Sequence, residues 1–273
     1  MASYKAKSII LKSYKLGESD KIIKIYSIES GIINAVAKGA FNLKSKFLGR
    51  LELFNVVDCE ISTGKNLDVI TQVEIIEHFK NISTDFLKYS ICQVISEIIL
   101  KTQSEKSPSI NVFKLLYVVF SKINKAVFED IITLKKILVF FLAKYLKIMG
   151  YVPLFNFCSI CGNKLIDNNV LFNENSKINE DNFSKDILFS IKYGGIICEN
   201  CKSNIEIIDK LILIDKNCAN AFNNLFLIKI EDFLNTKLSK EQIDFLLNII
   251  ENYFIYHLEV KIDSFDYLKK IKI

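Results

Sequence analysis

Apolar and polar residues alternate with a period of two along the first part of the chain, between residues 4 and 79. Turn residues divide this region into five segments, at 5–14, 21–28, 32–37, 51–62 and 67–79. A period of two is typical of half-buried β-strands. In the fifth segment the predicted apolar face comprises Leu67, Val69, Val73 and Ile75. Five short antiparallel strands favour a small closed barrel, and the OB-fold is the commonest barrel of this kind.

The pattern becomes helical after residue 83, where apolar residues recur every three or four positions. It predicts a first helix from Phe86 to about residue 103. Ser107 as an N-cap and Pro108 in the first turn predict the start of a second helix. A third helix is expected from about residue 129, and it ends before Gly150, which suits the left-handed conformation that closes many helices.

Three further helices are predicted towards the end of the chain. They cover residues 217–230, a segment that opens with the capping box of Ser239 and Gln242 and runs to about 258, and a short stretch from 263. We expect the helical blocks to pack as one bundle, into which the segment between them is inserted. The predicted class is therefore multidomain α+β, with an OB-fold barrel at 1–80, helical parts at 81–152 and 206–273, and an inserted element at 153–205.

The inserted element carries two Cys-x-x-Cys pairs, which are Cys158 with Cys161 and Cys198 with Cys201. Each pair can present two thiolates from one tight turn, and four thiolates match the tetrahedral coordination of Zn²⁺. Residues 162–197 separate the pairs, against roughly 15 to 20 residues in the commonest ribbon spacing, and their Asn-rich middle predicts a surface excursion. A site closed by four thiolates has no position for substrate, so it predicts structural zinc. The alternative is four buried thiols without a metal.

A basic loop is predicted between the third and fourth strands, at residues 38–50, and it contains no acidic residue. Its four cations are Lys38, Lys44, Lys46 and Arg50, and its two aromatic residues are Phe41 and Phe47. Lysines can follow a phosphate backbone, and aromatic faces can stack on bases whatever the sequence. The loop is therefore a candidate DNA-binding site. The alternative is a solvated loop whose phenylalanines plug the end of the barrel.

The overall charge of the chain is only mildly basic. Lys and Arg number 36 against 31 Asp and Glu, which gives a formal net charge of +5. This bias is compatible with an anionic partner and does not identify one. Arg50 is the only arginine in a chain rich in Lys, Ile and Asn, so the arginine is more informative than the number of lysines.

Cysteine usage and hydropathy point to the cytoplasm. The N-terminal residues lack the apolar stretch of a secretory signal. Cys59, Cys92 and Cys218 lie in apolar patterns and are predicted core thiols. An odd number of cysteines with metal-like spacing favours a reducing compartment. Residues 131–149 form the most apolar run, but four lysines interrupt it, so it predicts a packed helix and no membrane span.

The sequence contains little that indicates an enzyme. His78 and His257 are the only histidines, they fall in different predicted domains, and neither has a convincing nucleophile or metal partner nearby. Thr63-Gly64-Lys65 is similar to part of a phosphate-binding loop, but Cys59 replaces its first glycine and Asn66 replaces its Ser or Thr. We therefore expect no catalytic residues and no small-molecule substrate.

Several stretches in a specific order resemble the RecO family of bacterial DNA repair proteins. They are residues 9–14, Gly17-Glu18-Ser19-Asp20-Lys21, residues 31–40 and 146–153, Phe189-Ser190, Gly194-Gly195 and the two cysteine pairs. The resemblance covers nearly the whole chain. It implies an OB-fold, a helical domain, a zinc element, and binding of single- and double-stranded DNA. It also implies annealing of complementary strands and, with the partner RecR, loading of RecA onto strands coated by single-strand-binding protein.

The resemblance also assigns roles to individual residues. Lys38, Lys44, Lys46 and Arg50 match the family's basic DNA-contacting loop, to which the stacking argument adds Phe41. Lys144 matches a basic position on the helical face that binds the acidic C-terminal tail of single-strand-binding protein. The chain departs from the family after His257-Leu258, where acids replace glycine and basic residues, so no DNA contact is carried over there.

A second interpretation is a zinc-ribbon and OB module that acts in transcription or RNA metabolism. It would use the same electrostatics and stacking, and it would differ in contacting 2′-hydroxyl groups or a polymerase. A comparison of the affinities for single-stranded DNA and RNA of equal length separates the two interpretations.

Overall fold

The computed structural model describes residues 2–165, 187–203 and 211–270. The chain divides into two compact units, one comprising Met1–Ile137 and Val260–Ile273 and the other Leu138–Glu259. The polar segment expected between the cysteine pairs lies largely outside the described residues. The domain boundaries expected at residues 80, 152 and 205 stay predictions.

The N-terminal part of the first unit is a closed five-stranded barrel, as the period of two predicts. Its strands are β1 (Ser3–Leu16), β2 (Asp20–Ser27), β3 (Gly31–Ala37), β4 (Val56–Ser62) and β5 (Asp68–Glu77). Their order around the barrel is β1-β2-β3-β5-β4. Neighbouring strands are antiparallel except β3 and β5, which are parallel and close the barrel.

Inward-facing apolar residues fill the barrel. Ile10 on β1 pairs with Ile25 on β2, which pairs with Ile33 on β3, and all three side chains are buried. The opposite wall contributes Val57, Cys59 and Ile61 from β4. Because alternate residues of a strand point to opposite faces, this register leaves the polar residues of the same strands on the outer surface.

Two details of the barrel differ from the sequence prediction. The fourth strand begins at Val56 and not at residue 51, since Phe54 has a left-handed backbone (φ 70°) that interrupts an extended strand. In β5, a bulge pairs Ile61 with Ile70 and Glu60 with Gln72, which leaves Thr71 as an extra residue. The bulge reverses the alternation before it, so Ile70 enters the core together with Val73, whereas Val69 is only half-buried and Leu67 is exposed. Ile75, which pairs with Val57 beyond the bulge, is exposed as well.

Helices α1 (Lys80–Ser83), α2 (Phe86–Thr102) and α3 (Ile110–Lys125) follow the barrel. Asp85 caps α2, and Ser109, not the predicted Ser107, caps α3 by accepting a hydrogen bond from the N–H of Val112. The Phe54 ring contacts Tyr89 of α2 and Phe120 of α3, at 5.6 and 5.3 Å between centroids. These edge-on contacts join the barrel to the helices that follow it.

Helix α4 (Ile131–Met149) is the most apolar of the described helices and crosses the boundary between the two units. Gly150 ends it with a positive φ of 86°, as predicted. None of the helices within the described ranges is both long enough and apolar enough to cross a membrane.

The second unit combines a small sheet with helices. Its antiparallel sheet has the order β7-β6-β8, and the elements are β6 (Ile187–Ser190), β7 (Gly195–Ile196), α5 (Glu199–Lys202), β8 (Leu211–Ile214), α6 (Lys216–Leu225), α7 (Ile230–Leu234) and α8 (Lys240–Leu258). The predicted capping box of Ser239 and Gln242 opens α8. Phe189 of β6 packs against Phe222 of α6 and Tyr253 of α8, which joins the sheet to the helices.

The last element, α9 (Asp263–Lys270), belongs to the first unit. It packs along α2, where the Lys101 ammonium lies 2.9 Å from the Asp263 carboxylate. The Glu97 carboxylate accepts hydrogen bonds from the N–H groups of Asp263 and Ser264 and so caps the start of α9. The chain after Glu259 thus returns to the N-terminal unit.

Candidate nucleic-acid interface and metal centre

The predicted DNA-binding loop connects β3 to β4 and consists of consecutive turns. Backbone hydrogen bonds run from Asn42 to Gly39, Ser45 to Asn42, Leu48 to Ser45 and Arg50 to Phe47, each spanning three residues. The loop is fixed to the barrel because Ala40, Phe47 and Leu51 are buried in the barrel core. The sequence therefore folds into a preorganised surface feature.

The structure exposes all four predicted cations of this loop. Lys38, Lys44, Lys46 and Arg50 are solvent-accessible, and none forms an ion pair with the acids of the described ranges. Arg50 is held in place because its Nη1 atom donates a hydrogen bond to the Val73 carbonyl of β5, at 3.2 Å. The cations can therefore meet phosphates without first breaking a salt bridge.

The two phenylalanines of the loop have different environments. Phe47 is 4% exposed and plugs the end of the barrel, which is the alternative left open for this loop. Phe41 is 46% exposed, and its ring lies 5.8 Å from the Nζ atom of Lys15 and 4.8 Å from that of Lys21. Phe41 is thus free to meet a base, in a cationic setting supplied by the β1–β2 hairpin.

The hairpin adds a second group of cations and an aromatic ring that were not predicted. Lys12 of β1 pairs with Lys24 of β2, and their Nζ atoms lie 5.1 and 6.0 Å from the ring centre of Tyr14. Because successive side chains of a strand point to opposite faces, the sequence alone places Lys12 and Tyr14 on one face of β1. Only the cross-strand register shows that Lys24 joins them, so sequence alone could find two of the three residues of this cluster.

Lys144, the predicted contact for an acidic tail, lies on α4 and is half-buried. Its Nζ atom is 5.1 Å from the ring centre of Phe140. Burial, followed by repulsion from the Lys147 ammonium, lowers the pKa of Lys144 to about 8. A half-buried cation beside an aromatic ring is suited to a carboxylate partner, because the partner's charge would offset the cost of burial.

The four cysteines of the two pairs come together in the second unit, as the spacing predicts. All four Sγ atoms lie within 4.8 Å of one another, and those of Cys161 and Cys198 are 3.7 Å apart. In a tetrahedral zinc site with Zn–S bonds of about 2.3 Å, neighbouring sulfurs are about 3.8 Å apart. The donor set and its spacing therefore fit a zinc ion with four thiolate ligands.

Two turns hold the cysteines in position. In the first, the N–H of Gly162 donates to the carbonyl of Cys158, and Gly162 has a φ of 73°, which favours glycine. In the second, the N–H groups of Cys201 and Lys202 both donate to the carbonyl of Cys198 at the start of α5. Leu188 and Ile197 pack beside the site, so its sulfurs lie partly in an apolar environment.

Local donors give Cys158 the character of a metal ligand. Burial opposes ionisation of its thiol, but backbone N–H groups of Cys161, Cys198 and Ile160 outweigh it and lower the pKa to about 6. The predicted core thiols behave in the opposite way, since burial raises the pKa of Cys59 and of Cys218 to about 12. Hydrogen bonding to the thiolate therefore distinguishes Cys158 from the core thiols. Cys201 of the same cluster is different, because the hydrogen bond with Cys198, followed by burial, raises its pKa.

The residues that could suggest an enzyme each have a hydrogen-bond partner within the fold. His78 Nδ1 is 2.7 Å from the Asn55 side-chain oxygen, and His257 Nε2 is 2.7 Å from the Ile191 carbonyl. Gly64 lies in the turn between β4 and β5, where its N–H donates to Asp68. Phosphate-binding loops lead into a helix, and this turn leads into a strand.

Comparison with known proteins gives the family of the chain. The family model described as Recombination protein O N terminal matches residues 1–79, and Recombination protein O C terminal matches residues 83–265. DNA repair protein RecO of Thermoanaerobacter sp. (strain X514) is 30% identical over 272 residues, covering 100% of this chain and 99% of that protein. DNA repair protein RecO of Caldanaerobacter subterraneus subsp. tengcongensis is 28% identical over 275 residues, covering 99% of each chain. That of Desulforamulus reducens is 26% identical over 271 residues, covering 99% of this chain and 96% of that protein.

Proposed function

The chain belongs to the RecO family of DNA repair proteins, and we propose that this recombination mediator binds single- and double-stranded DNA and anneals complementary strands. We further propose that, with RecR, it helps to load RecA onto strands coated by single-strand-binding protein. The names of its relatives support the repair role, and the finer activities are proposals for this chain.

The acid-free loop between β3 and β4 is the observation that carries the proposal. Lys38, Lys44, Lys46 and Arg50 are exposed there on a preorganised backbone, beside the exposed ring of Phe41. Two complementary strands repel each other through their phosphates. Cations that neutralise both strands lower this repulsion, and a base that stacks on Phe41 is kept unpaired until its complement arrives.

We propose that Cys158, Cys161, Cys198 and Cys201 bind one structural Zn²⁺ ion. The fit of their sulfur spacing and the N–H donors around Cys158 support this assignment. A zinc ion bound by four thiolates would link the two turns and leave no position for a substrate. The role of the cysteines is thus to hold the turn at Cys158 to the turn at Cys198 within the second unit.

We propose that Lys144 contributes to a binding site for the acidic tail of single-strand-binding protein. Its half-buried ammonium lies beside the buried ring of Phe140 on an apolar helix, and this cation can pair with the carboxylates of such a tail. We propose no catalytic activity for the chain. We propose that the protein acts in the cytoplasm, at the nucleoid during repair, and the repair role of its relatives supports this location.

A strand-annealing assay tests this function. Two complementary labelled strands are mixed with the purified protein at moderate salt, once as DNA and once as RNA of the same sequence. The proposal predicts faster annealing of DNA than of RNA. Equal or better annealing of RNA would favour a module of RNA metabolism, and no acceleration of either at any salt concentration would remove the proposed activity.

A further inference from the structure

Two leucines project from the basic loop into solvent. Leu43 is 91% exposed, more than any other large apolar side chain in the described part of the chain, and Leu48 is 63% exposed. Single exposed leucines are common on protein surfaces. Two of them within one short loop, together with the exposed ring of Phe41, form an apolar surface that needs an explanation.

Both leucines occupy the corners of turns. The N–H of Ser45 donates to the carbonyl of Asn42 at 2.8 Å, which makes Leu43 the second residue of that turn. The N–H of Arg50 donates to the carbonyl of Phe47 at 3.0 Å, which makes Leu48 the second residue of the next. Gly49 follows with a φ of 70°, as the third residue of such a turn requires in type II geometry.

The loop cannot easily turn these leucines inward. The N–H of Phe41 donates to the Ser19 carbonyl at 2.9 Å, and the Asn55 side chain donates to the Arg50 carbonyl at 3.3 Å. Between these two ties, Phe47 already occupies the end of the barrel core. The backbone therefore holds Leu43 and Leu48 away from the core, with their side chains in water.

Charge defines the ligand that fits this surface. Lys44 and Lys46 lie between the two leucines, Arg50 follows them, and no acid occurs in residues 38–50. A matching ligand combines apolar faces with closely spaced negative charges. An unpaired DNA strand has both, because its phosphates lie next to bases whose faces are open, whereas a duplex hides the faces of its bases.

We propose that Leu43 and Leu48 insert between neighbouring bases of an unpaired DNA strand while the adjacent cations contact its phosphates. This inference rests on the proposed function, since it assumes that the loop binds DNA. The proposed insertion adds a contact between the two leucine side chains and the bases to the contact between the cations and the phosphates. Insertion separates stacked bases, and separated bases are available to a complementary strand.

The test compares three variants on a single-stranded oligonucleotide that carries 2-aminopurine, whose fluorescence rises when it is unstacked. In Leu43→Ala/Leu48→Ala the fluorescence rise is abolished, and affinity falls about tenfold with the salt slope unchanged, because the phosphate contacts remain. In Lys44→Ala/Lys46→Ala the salt slope becomes shallower. Leu227→Ala, a leucine 56% exposed in the second unit, behaves as wild type.

Three outcomes would overturn the inference. If the leucine variant binds and unstacks DNA like wild type while the lysine variant is weakened, the loop binds DNA and the leucines do not insert. If wild type binds no DNA, the proposed function fails as well. If the leucine variant loses binding to phosphatidylglycerol vesicles and keeps its DNA affinity, the apolar surface serves a membrane. Thermal unfolding confirms that the variants are folded.

Discussion

The carboxylate of Asp20 accepts a hydrogen bond from the backbone N–H of Gly39, with 2.7 Å between Oδ1 and nitrogen. Asp20 is the first residue of β2, and Gly39 lies at the start of the basic loop. The Gly39 N–H, followed by the Ser19 hydroxyl, holds the pKa of Asp20 below its ordinary value of 3.8. An ionised acid beside a cationic loop therefore acts as a tie that fixes the loop.

We predict that Asp20→Ala weakens binding of single-stranded DNA. Charge alone predicts the reverse, since the substitution removes an acid next to the phosphate site. Asp20→Asn keeps an oxygen acceptor for Gly39 and removes the charge, so its affinity should equal or exceed that of wild type. Glu18→Ala removes an exposed acid from the same turn and should bind as well or slightly better. Tighter binding by Asp20→Ala would show that the hydrogen bond does not position the loop.

We predict one zinc ion per chain, measured by elemental analysis of the purified protein. Cys161→Ser and Cys198→Ser should lose it, because a hydroxyl is a poor replacement for a thiolate ligand. Cys161 is exposed, so its substitution tests ligation and not core packing. Cys218→Ala should keep the zinc. Acidification should release it, since the thiolates must be deprotonated to bind. Wild-type protein without zinc would refute the assignment.

The N-cap of α3 gives a prediction about stability. The Ser109 hydroxyl accepts a hydrogen bond from the N–H of Val112 at 3.4 Å, whereas Ser107 is exposed and precedes the helix. Ser109→Ala should lower the free energy of unfolding by about 0.5 to 1 kcal/mol. Ser107→Ala should stay within about 0.5 kcal/mol of wild type. Urea denaturation of both variants checks this, and a larger loss for Ser107→Ala would contradict the capping assignment.

Lys144 should make stability depend on pH. Its pKa falls from 10.5 to about 8 on folding, so between these values the unfolded chain binds more protons and stability rises with pH. Below pH 8 the buried charge lowers stability. Lys144→Met should thus be more stable than wild type at pH 7, and the difference should shrink as the pH rises above 8. Lys240→Met, at an exposed lysine, controls for the loss of charge. A difference that does not change with pH would contradict the assignment.

Much of the fold could be predicted because local patterns determine it. The period of two predicted the barrel. The spacing of the cysteines predicted that the two Cys-x-x-Cys pairs come together, although they are far apart in the sequence. The bulge at Thr71 could not be predicted, since it depends on how β5 pairs with β4. The cap of α3 was misassigned for a related reason, because Ser107 and Ser109 are both plausible caps and only the helix start distinguishes them.

The candidate site was predictable in its charges and less so in its geometry. Lys38, Lys44, Lys46 and Arg50 are exposed as a polar loop predicts. The sequence could not decide which phenylalanine fills the barrel, because that depends on how the turns of the loop are placed over its open end. The cluster of Lys12, Tyr14 and Lys24 needs the pairing of β1 with β2, which no local pattern specifies.

The salt dependence of binding tests most directly whether the barrel loop is the DNA site. Affinity for a single-stranded oligonucleotide is measured over a range of salt for wild type and for Lys38→Ala/Lys44→Ala/Lys46→Ala/Arg50→Ala. A second variant substitutes four exposed lysines outside the loop, which are Lys114, Lys125, Lys237 and Lys240.

The account predicts that log K falls less steeply with log salt in the loop variant, by about 0.7 for each phosphate that the substituted side chains no longer neutralise. Its affinity should also fall at moderate salt, while the second variant keeps the wild-type slope. A loop variant that stays folded and has the same slope as wild type would place the DNA site elsewhere and contradict the account.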